Sequence, residues 1–222
     1  MLRILLPILF LVSLSSYANA NLITNGTFES GSISNGINFS TVTGPYGTWL
    51  DRANWTIQSG GPTGNYAQQD TCTNCTDQLF QAFLGTYAPS GWLLQLDFDY
   101  SFVKPSGTQG TELVQIVGLD SGDQWNYAAG PTGWCFYCDT LYSASLSTTS
   151  SWEHFTSPWI TVPQNYAAIG VLFQFGGTIE IGTFRAVDNV SLSAVPEPST
   201  LLLLGSGLVG GAAFAHRFRK RG

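Results

Sequence analysis

Four cysteines fall as two Cys-x-x-Cys pairs, Cys72 with Cys75 and Cys135 with Cys138. Four thiolates so spaced can hold a tetrahedral zinc ion, and four thiols in an oxidising compartment form two disulfides. Three pairings are open, and spacing does not choose among them. Neither pair sits in a strand–helix–strand setting of the kind a thioredoxin-like redox centre uses. Carboxylates form a second group. Asp97 and Asp99 stand two residues apart and project from one face of a strand, with Glu112 a candidate neighbour. Carboxylates about 5–9 Å apart can divide the acid and base roles of glycoside hydrolysis. Here nothing in the flanking sequence supplies a perturbing environment, and alternating acids on a strand are ordinary solvated side chains. Outside the C-terminal tail the only histidine is His154, and no G-x-S-x-G nucleophile elbow occurs. These patterns point away from an enzyme.

Aromatic side chains offer a different chemistry. The segment from Asp120 to Tyr142 holds Trp125, Tyr127, Trp134, Phe136 and Tyr137 among glycines and two of the cysteines. Flat aromatic faces suit the C–H surfaces of sugars, and loops on a rigid scaffold are where binding residues gather. A disulfide at Cys135 or Cys138 would hold such a platform still. The same aromatics could instead cover the end of a core, and Trp49 and Trp55 pose the same choice.

The elements that must position these groups read as strands. In Trp92 to Phe102, Leu94, Leu96, Phe98, Tyr100 and Phe102 alternate with Gln95, Asp97, Asp99 and Ser101, the period of a half-buried strand. Glu112–Leu119 and Ala168–Phe175 follow, the latter predicted to turn Ile169, Val171, Phe173 and Phe175 inward. Trp159–Val162 and Ala186–Leu192 are two more. Short strands between clusters of Gly, Ser, Thr and Asn predict an all-β sandwich over residues 21–194.

Both ends carry addresses. Met1-Leu2-Arg3, an apolar run from Ile4 to Val12 and small residues at Ala18 and Ala20 make a secretory signal peptide over residues 1–20. Export favours disulfides over zinc for the four cysteines. Near the other end, Pro196, Glu197 and Pro198 terminate the domain, because two prolines bracketing a glutamate continue neither strand nor helix. An apolar stretch from Thr200 to Ala215 follows. As a helix it would rise about 24 Å against a hydrocarbon core of about 30 Å, a weak span. Arg217, Arg219, Lys220 and Arg221 would hold that end in the cytoplasm and leave the domain outside. Between the ends stand three basic residues, Arg52, Lys104 and Arg185, against thirteen acidic ones. A surface so negative repels phosphate backbones and excludes nucleic acid as a partner.

Residues 195–222 resemble the PEP-CTERM sorting signal of Gram-negative bacteria in the order of the Pro196-Glu197-Pro198 triad, apolar helix and arginine-rich end. The resemblance implies processing by an exosortase near the triad, transient residence in the inner membrane through the tail, and association with exopolysaccharide. Two further segments resemble galactose-binding-like jelly rolls, a fold shared by several families of carbohydrate-binding modules. They are the opening Asn21-Leu22-Ile23-Thr24-Asn25-Gly26-Thr27-Phe28-Glu29 and the closing Asp188-Asn189-Val190-Ser191-Leu192. That resemblance implies a jelly-roll β-sandwich whose first and last strands meet. It also implies a structural calcium held there by Glu29 and Asp188 side chains and the Thr27 carbonyl, hard oxygen donors of the kind calcium takes. The sequence as a whole leads us to expect an exported, non-catalytic surface or matrix protein that binds a glycan, or a matrix protein with no specific ligand.

Overall fold

A computed structural model describes residues 20–35, 38–40, 46–51, 55–69, 77–84, 90–103, 112–120, 124–126, 135–136, 138–175 and 183–195. Among them the chain is all-β. Its strands are β1 (Ala20–Asn21), β2 (Ser34–Asn35), β3 (Asn38–Ser40), β4 (Leu50–Asp51), β5 (Trp55–Ser59), β6 (Asn65–Gln69), β7 (Asp77–Leu84) and β8 (Leu93–Val103). Then come β9 (Glu112–Leu119), β10 (Gln124–Asn126), β11 (Cys135–Phe136), β12 (Asp139–Ser145), β13 (Glu153–Thr156), β14 (Ile160–Thr161), β15 (Ala168–Phe175) and β16 (Phe184–Val195). No helix among the described residues is long and apolar enough to cross a membrane. All but Ala20 of the expected signal peptide, residues 1–20, and the sorting tail, with Pro196, Glu197, Pro198, Arg217, Arg219, Lys220 and Arg221, lie outside the described residues.

Two sheets make a jelly-roll sandwich. The seven-stranded sheet runs β13-β8-β16-β6-β5, with β1 also on β16 and β14 also on β8. The six-stranded sheet runs β12-β9-β15-β7-β4-β2, antiparallel except for the β2–β4 pair. A small third sheet joins β11, β10 and β3. The first and last strands do meet: Ala20 lies opposite Ala194 and Asn21 opposite Ser193.

Alternation along β8 places Leu94, Leu96, Phe98, Tyr100 and Phe102 in the core, as its period requires. They pack against Val114 and Ile116 of β9, Ile169, Val171, Phe173 and Phe175 of β15, and Val187 of β16. Phe98 is the hub of the aromatic packing, 5.0 Å edge-on from Phe173 and 4.9 Å from Phe155. Each such side chain contributes about 1.5–3 kcal/mol by leaving water, which is what holds the layers together.

The structure departs from the sequence reading in several places. All of β15 is buried, not only its inward set, because Ala168 and Leu172 join Leu50, Phe80, Ala82, Val117 and Leu119 in a second apolar cluster on the outer face. On that face Gln78 and Gln174 lie opposite one another on β7 and β15, buried, with amide atoms that have no hydrogen-bond partner. Trp49 and Trp55 are core residues rather than ligand platforms, Trp49 tilted against Phe28 and Trp55 stacked on Phe175. Glu112 does not join Asp97 and Asp99. It shares the inward face of β9 with Val114 and Ile116 and pairs with Arg185 at 3.0 Å. The last strand is longer than expected, and the strand at 159–162 shrinks to two residues.

Candidate functional site

The opening segment reaches the last strand through a strained turn. Asn25 and Phe28 both adopt left-handed backbone angles, φ 51° and 54°. A bulky residue takes that conformation only where its surroundings fix it. Here the Phe28 ring is buried 5.3 Å from Trp49, whose indole N–H donates to the Asn25 carbonyl at 3.0 Å. The turn delivers Glu29 onto the β5–β6 connection, where its Oε1 accepts the Asn65 backbone N–H at 2.7 Å. Gly64, at φ 147°, is required there, since a side chain would occupy the place of the Glu29 carboxylate.

Asp188 meets the same connection from the other side. Its register against β8 shifts between Asp188 and Ser191, and inside that irregularity Asn189 stands at φ 53° while Val190 N–H donates to the Gly26 carbonyl at 2.9 Å. Asp188 is fully buried. Its Oδ1 accepts the Asn189 N–H at 2.7 Å and its Oδ2 accepts the Thr63 hydroxyl at 3.3 Å. Burial raises its pKa above the usual carboxylate value, opposed by the backbone N–H bonds from Asn189 and Thr63. Glu29 and Asp188 thus close on one five-residue turn, Gly60 to Gly64, and Thr27 lies exposed in the turn that precedes Glu29. No three His, Cys, Asp or Glu side chains among the described residues group as a metal site by themselves. A cation here would need carbonyl or water oxygens besides the two carboxylates, a donor set that suits calcium and not zinc.

From Asp188 a polar chain runs along the outer face of the seven-stranded sheet. Thr63 also donates to Asn189 Oδ1 at 2.8 Å, and Asn189 Nδ2 donates to Asp99 Oδ2 at 2.7 Å. Asp99 Oδ1 lies 2.8 Å from His154 Nδ1, and Asp97 Oδ1 accepts the Thr156 hydroxyl at 2.7 Å. The cause is register. His154 lies opposite Asp99 and Thr156 opposite Asp97, so all four side chains leave the same face. Tryptophans stand on either side of β13 in sequence, Trp152 directly before it and Trp159 directly before β14. Trp152, half-buried, meets Tyr66 edge-on at 5.4 Å, with Phe184 6.1 Å from the same tyrosine. Trp159, at 44 % exposure, is the one large apolar side chain that stands exposed among the described residues. Sequence reasoning passed over Trp152 and Trp159, although the alternation Trp152, His154, Thr156 against the buried face was there to read.

Of the aromatic loop, the backbone of Trp125 is fixed in β10 opposite Phe39 of β3 and Cys135 of β11. The side chains of Trp125, Trp134, Tyr127 and Tyr137 lie outside the described residues, as do those of Cys72, Cys75 and Cys135. Cys138 is disulfide-bonded.

Residues 194–220 match the PEP-CTERM protein-sorting motif. No curated protein matches the chain in sequence. Among solved structures, the enzymatically active domain of tailspike protein 4 of bacteriophage CBA120 is similar over 79% of this chain and 21% of its own, at 16% identity and a TM-score of 0.52. The chain therefore spans about a fifth of that protein. TmCBM61, solved with beta-1,4-galactotriose, is similar over 78% of this chain and 97% of its own, at 15% identity and a TM-score of 0.48. A CBM4 structure is similar over 78% and 99%, at 18% identity and a TM-score of 0.49. At such identities these likenesses concern the fold. The chain carries the PEP-CTERM sorting motif of an exported protein behind an all-β jelly-roll sandwich.

Proposed function

We propose that this is an exported, non-catalytic glycan-binding protein that holds exopolysaccharide at the cell surface or in the extracellular matrix. The observation that carries the reading is the outer face of the seven-stranded sheet. There Trp152 and Trp159 stand, in sequence, on either side of the β13 part of a strip of hydroxyl-binding groups, Asp97, Thr156, His154 and Asp99, already ordered by their own hydrogen bonds. Seven residues of extended chain span at most about 23 Å, room for several sugar units in a row. Aromatic faces cover sugar C–H surfaces while carboxylates and hydroxyls fix orientation. The aromatic loop, with Trp125, Tyr127, Trp134 and Tyr137, is a second glycan contact in this reading, because flat rings suit sugar C–H faces.

Two further parts belong to the proposal. Calcium binds at the 60–64 turn through Glu29, Asp188 and a carbonyl such as that of Thr27, fastening the first strand to the last. The four cysteines, Cys72, Cys75, Cys135 and Cys138, are oxidised as disulfides in the exported protein.

Binding to exopolysaccharide from the producing cells, measured by affinity electrophoresis, should weaken about tenfold in Trp159→Ala, a loss of about 1.4 kcal/mol. Trp152→Ala should behave likewise, with far-ultraviolet circular dichroism unchanged. Wild-type protein that binds no glycan on an array would leave a purely structural matrix protein as the reading. The tail is tested separately. Replacing Pro196, Glu197 and Pro198 by alanine should trap a membrane-bound precursor in place of the exosortase product. Wild-type surface protein whose mass retains Arg217 to Gly222 would overturn the processing step.

A further inference from the structure

A cavity of about 300 Å³ lies at the rim of the sandwich, where the start of β12 meets β14 and the turn at 163–166. Its walls are Asp139, Thr140, Leu141, Thr161, Pro163 and Tyr166. The volume is at the small end of ligand sites, enough for a single ring. It follows the proposed glycan strip closely in sequence, since Thr161 follows Trp159 by two residues and both are exposed.

Its carboxylate is held in place by the fold. Asp139 stands opposite Gly118 across the β12–β9 pair. Gly118 leaves room for the Tyr166 ring, whose atoms would come within 2.6 Å of any Cβ at that position. The ring is buried in the core, and its hydroxyl donates to Asp139 Oδ2 at 2.8 Å. Gln164 Nε2 donates to the same oxygen at 3.2 Å. Both donors reach Oδ2, so Oδ1 keeps its acceptor capacity. Burial, followed by the bond to and the charge of Asp139, pushes the Tyr166 pKa up to about 12, and Asp120 adds to the negative field there. The phenol therefore stays a donor throughout the physiological range. The walls pair this carboxylate and two threonine hydroxyls with the apolar edges of Leu141 and Pro163, and none of the six is basic.

We propose that this pocket takes the terminal sugar of a bound glycan and selects a hexosamine whose amine is free and positively charged. The assignment rests on the glycan-binding reading. An ammonium group on Asp139 makes a charge-assisted bond, roughly twice as strong as a neutral one, and the acidic domain favours its approach. A uronate would meet Asp139 as a like charge, in a field to which Asp120 adds, and an N-acetyl group would remove the positive charge that Asp139 attracts.

Calorimetric titration of the full domain with short glucosamine oligomers, fully deacetylated or fully N-acetylated and of equal length, tests this. Deacetylated oligomers should bind at least tenfold more tightly, and the preference should shrink with added salt. Asp139→Asn should lose that tenfold and bind both oligomers alike. Thr161→Val should weaken binding of both without changing the ratio. Equal affinity of wild type for the two oligomers, or an unchanged preference in Asp139→Asn, would overturn the pocket assignment. If the same protein still binds exopolysaccharide through Trp159, the glycan reading stands without the pocket. If it binds no glycan at all, both fall.

Discussion

Arg185→Met alone should cost the domain about 3–5 kcal/mol of folding stability, whereas Arg185→Met combined with Glu112→Leu should cost far less. Arg185 is 1% exposed, on the inward face of β16 opposite Phe102. Its guanidinium reaches Glu112 at 3.0 Å and Gln69 at 2.9 Å and lies over the Phe102 and Phe175 rings at 5.5 and 5.8 Å. A planar cation between stacked aromatics and a carboxylate is a geometry lysine would not reproduce. Removing the cation takes from the buried Glu112 carboxylate the opposite charge it meets at 3.0 Å, and the cost of keeping that charge buried without it dominates. Removing both charges leaves only a packing change. At about 2–4 °C per kcal/mol for a domain of this size, the single variant should melt about 6–20 °C below wild type. A single variant as stable as the double one would show that the pair is not what the core depends on.

That pair also shows what the sequence could and could not tell. Glu112 alternates with Val114 and Ile116, so its inward direction was legible from periodicity alone. Its partner was not, because Arg185 comes from a strand 73 residues away and an isolated arginine reads as a surface residue. The same contrast holds at the candidate site. The outward placement of Asp97 and Asp99 follows from the period of β8, a strand half-buried on one face. The full burial of Asp188 does not, since it depends on Thr63 arriving from 125 residues away on a turn. The complete burial of β15 was hidden for a related reason: Ala168, Gly170 and Leu172 are small or apolar on the outward face, but what packs over a sheet is a tertiary fact. The resemblance of the two terminal segments to jelly rolls did foretell that they meet, because that closure is local to the motif they share.

Exchanging Asp188 for asparagine should change the sign of its effect on stability with the availability of calcium. Without a cation, ionised Asp188 is a buried charge whose raised pKa reports the cost of desolvation. For a carboxylate shifted upward, the folded state binds the proton more tightly than the unfolded chain. The penalty is therefore absent below the ordinary value of 3.8 and grows as pH rises, reaching its full size above the folded-state pKa. In chelator at pH 7, Asp188→Asn should accordingly be as stable as wild type or more so, and only wild type should gain relative stability as pH falls toward that window. Calcium reverses the order. Bound only to the folded state, it stabilises wild type by about 2.7 kcal/mol at a hundred times its dissociation constant. That corresponds to a melting temperature about 5–11 °C higher. Asp188→Asn and Glu29→Gln should lose most of this response, and magnesium should not replace calcium, because its tight octahedral shell does not fit an irregular set of carboxylates and carbonyls. Scanning calorimetry of the three proteins in chelator, calcium and magnesium decides it. Identical wild-type melting in chelator and in millimolar calcium would sink the metal proposal, and would leave Asp188 a buried carboxylate held only by Thr63 and Asn189.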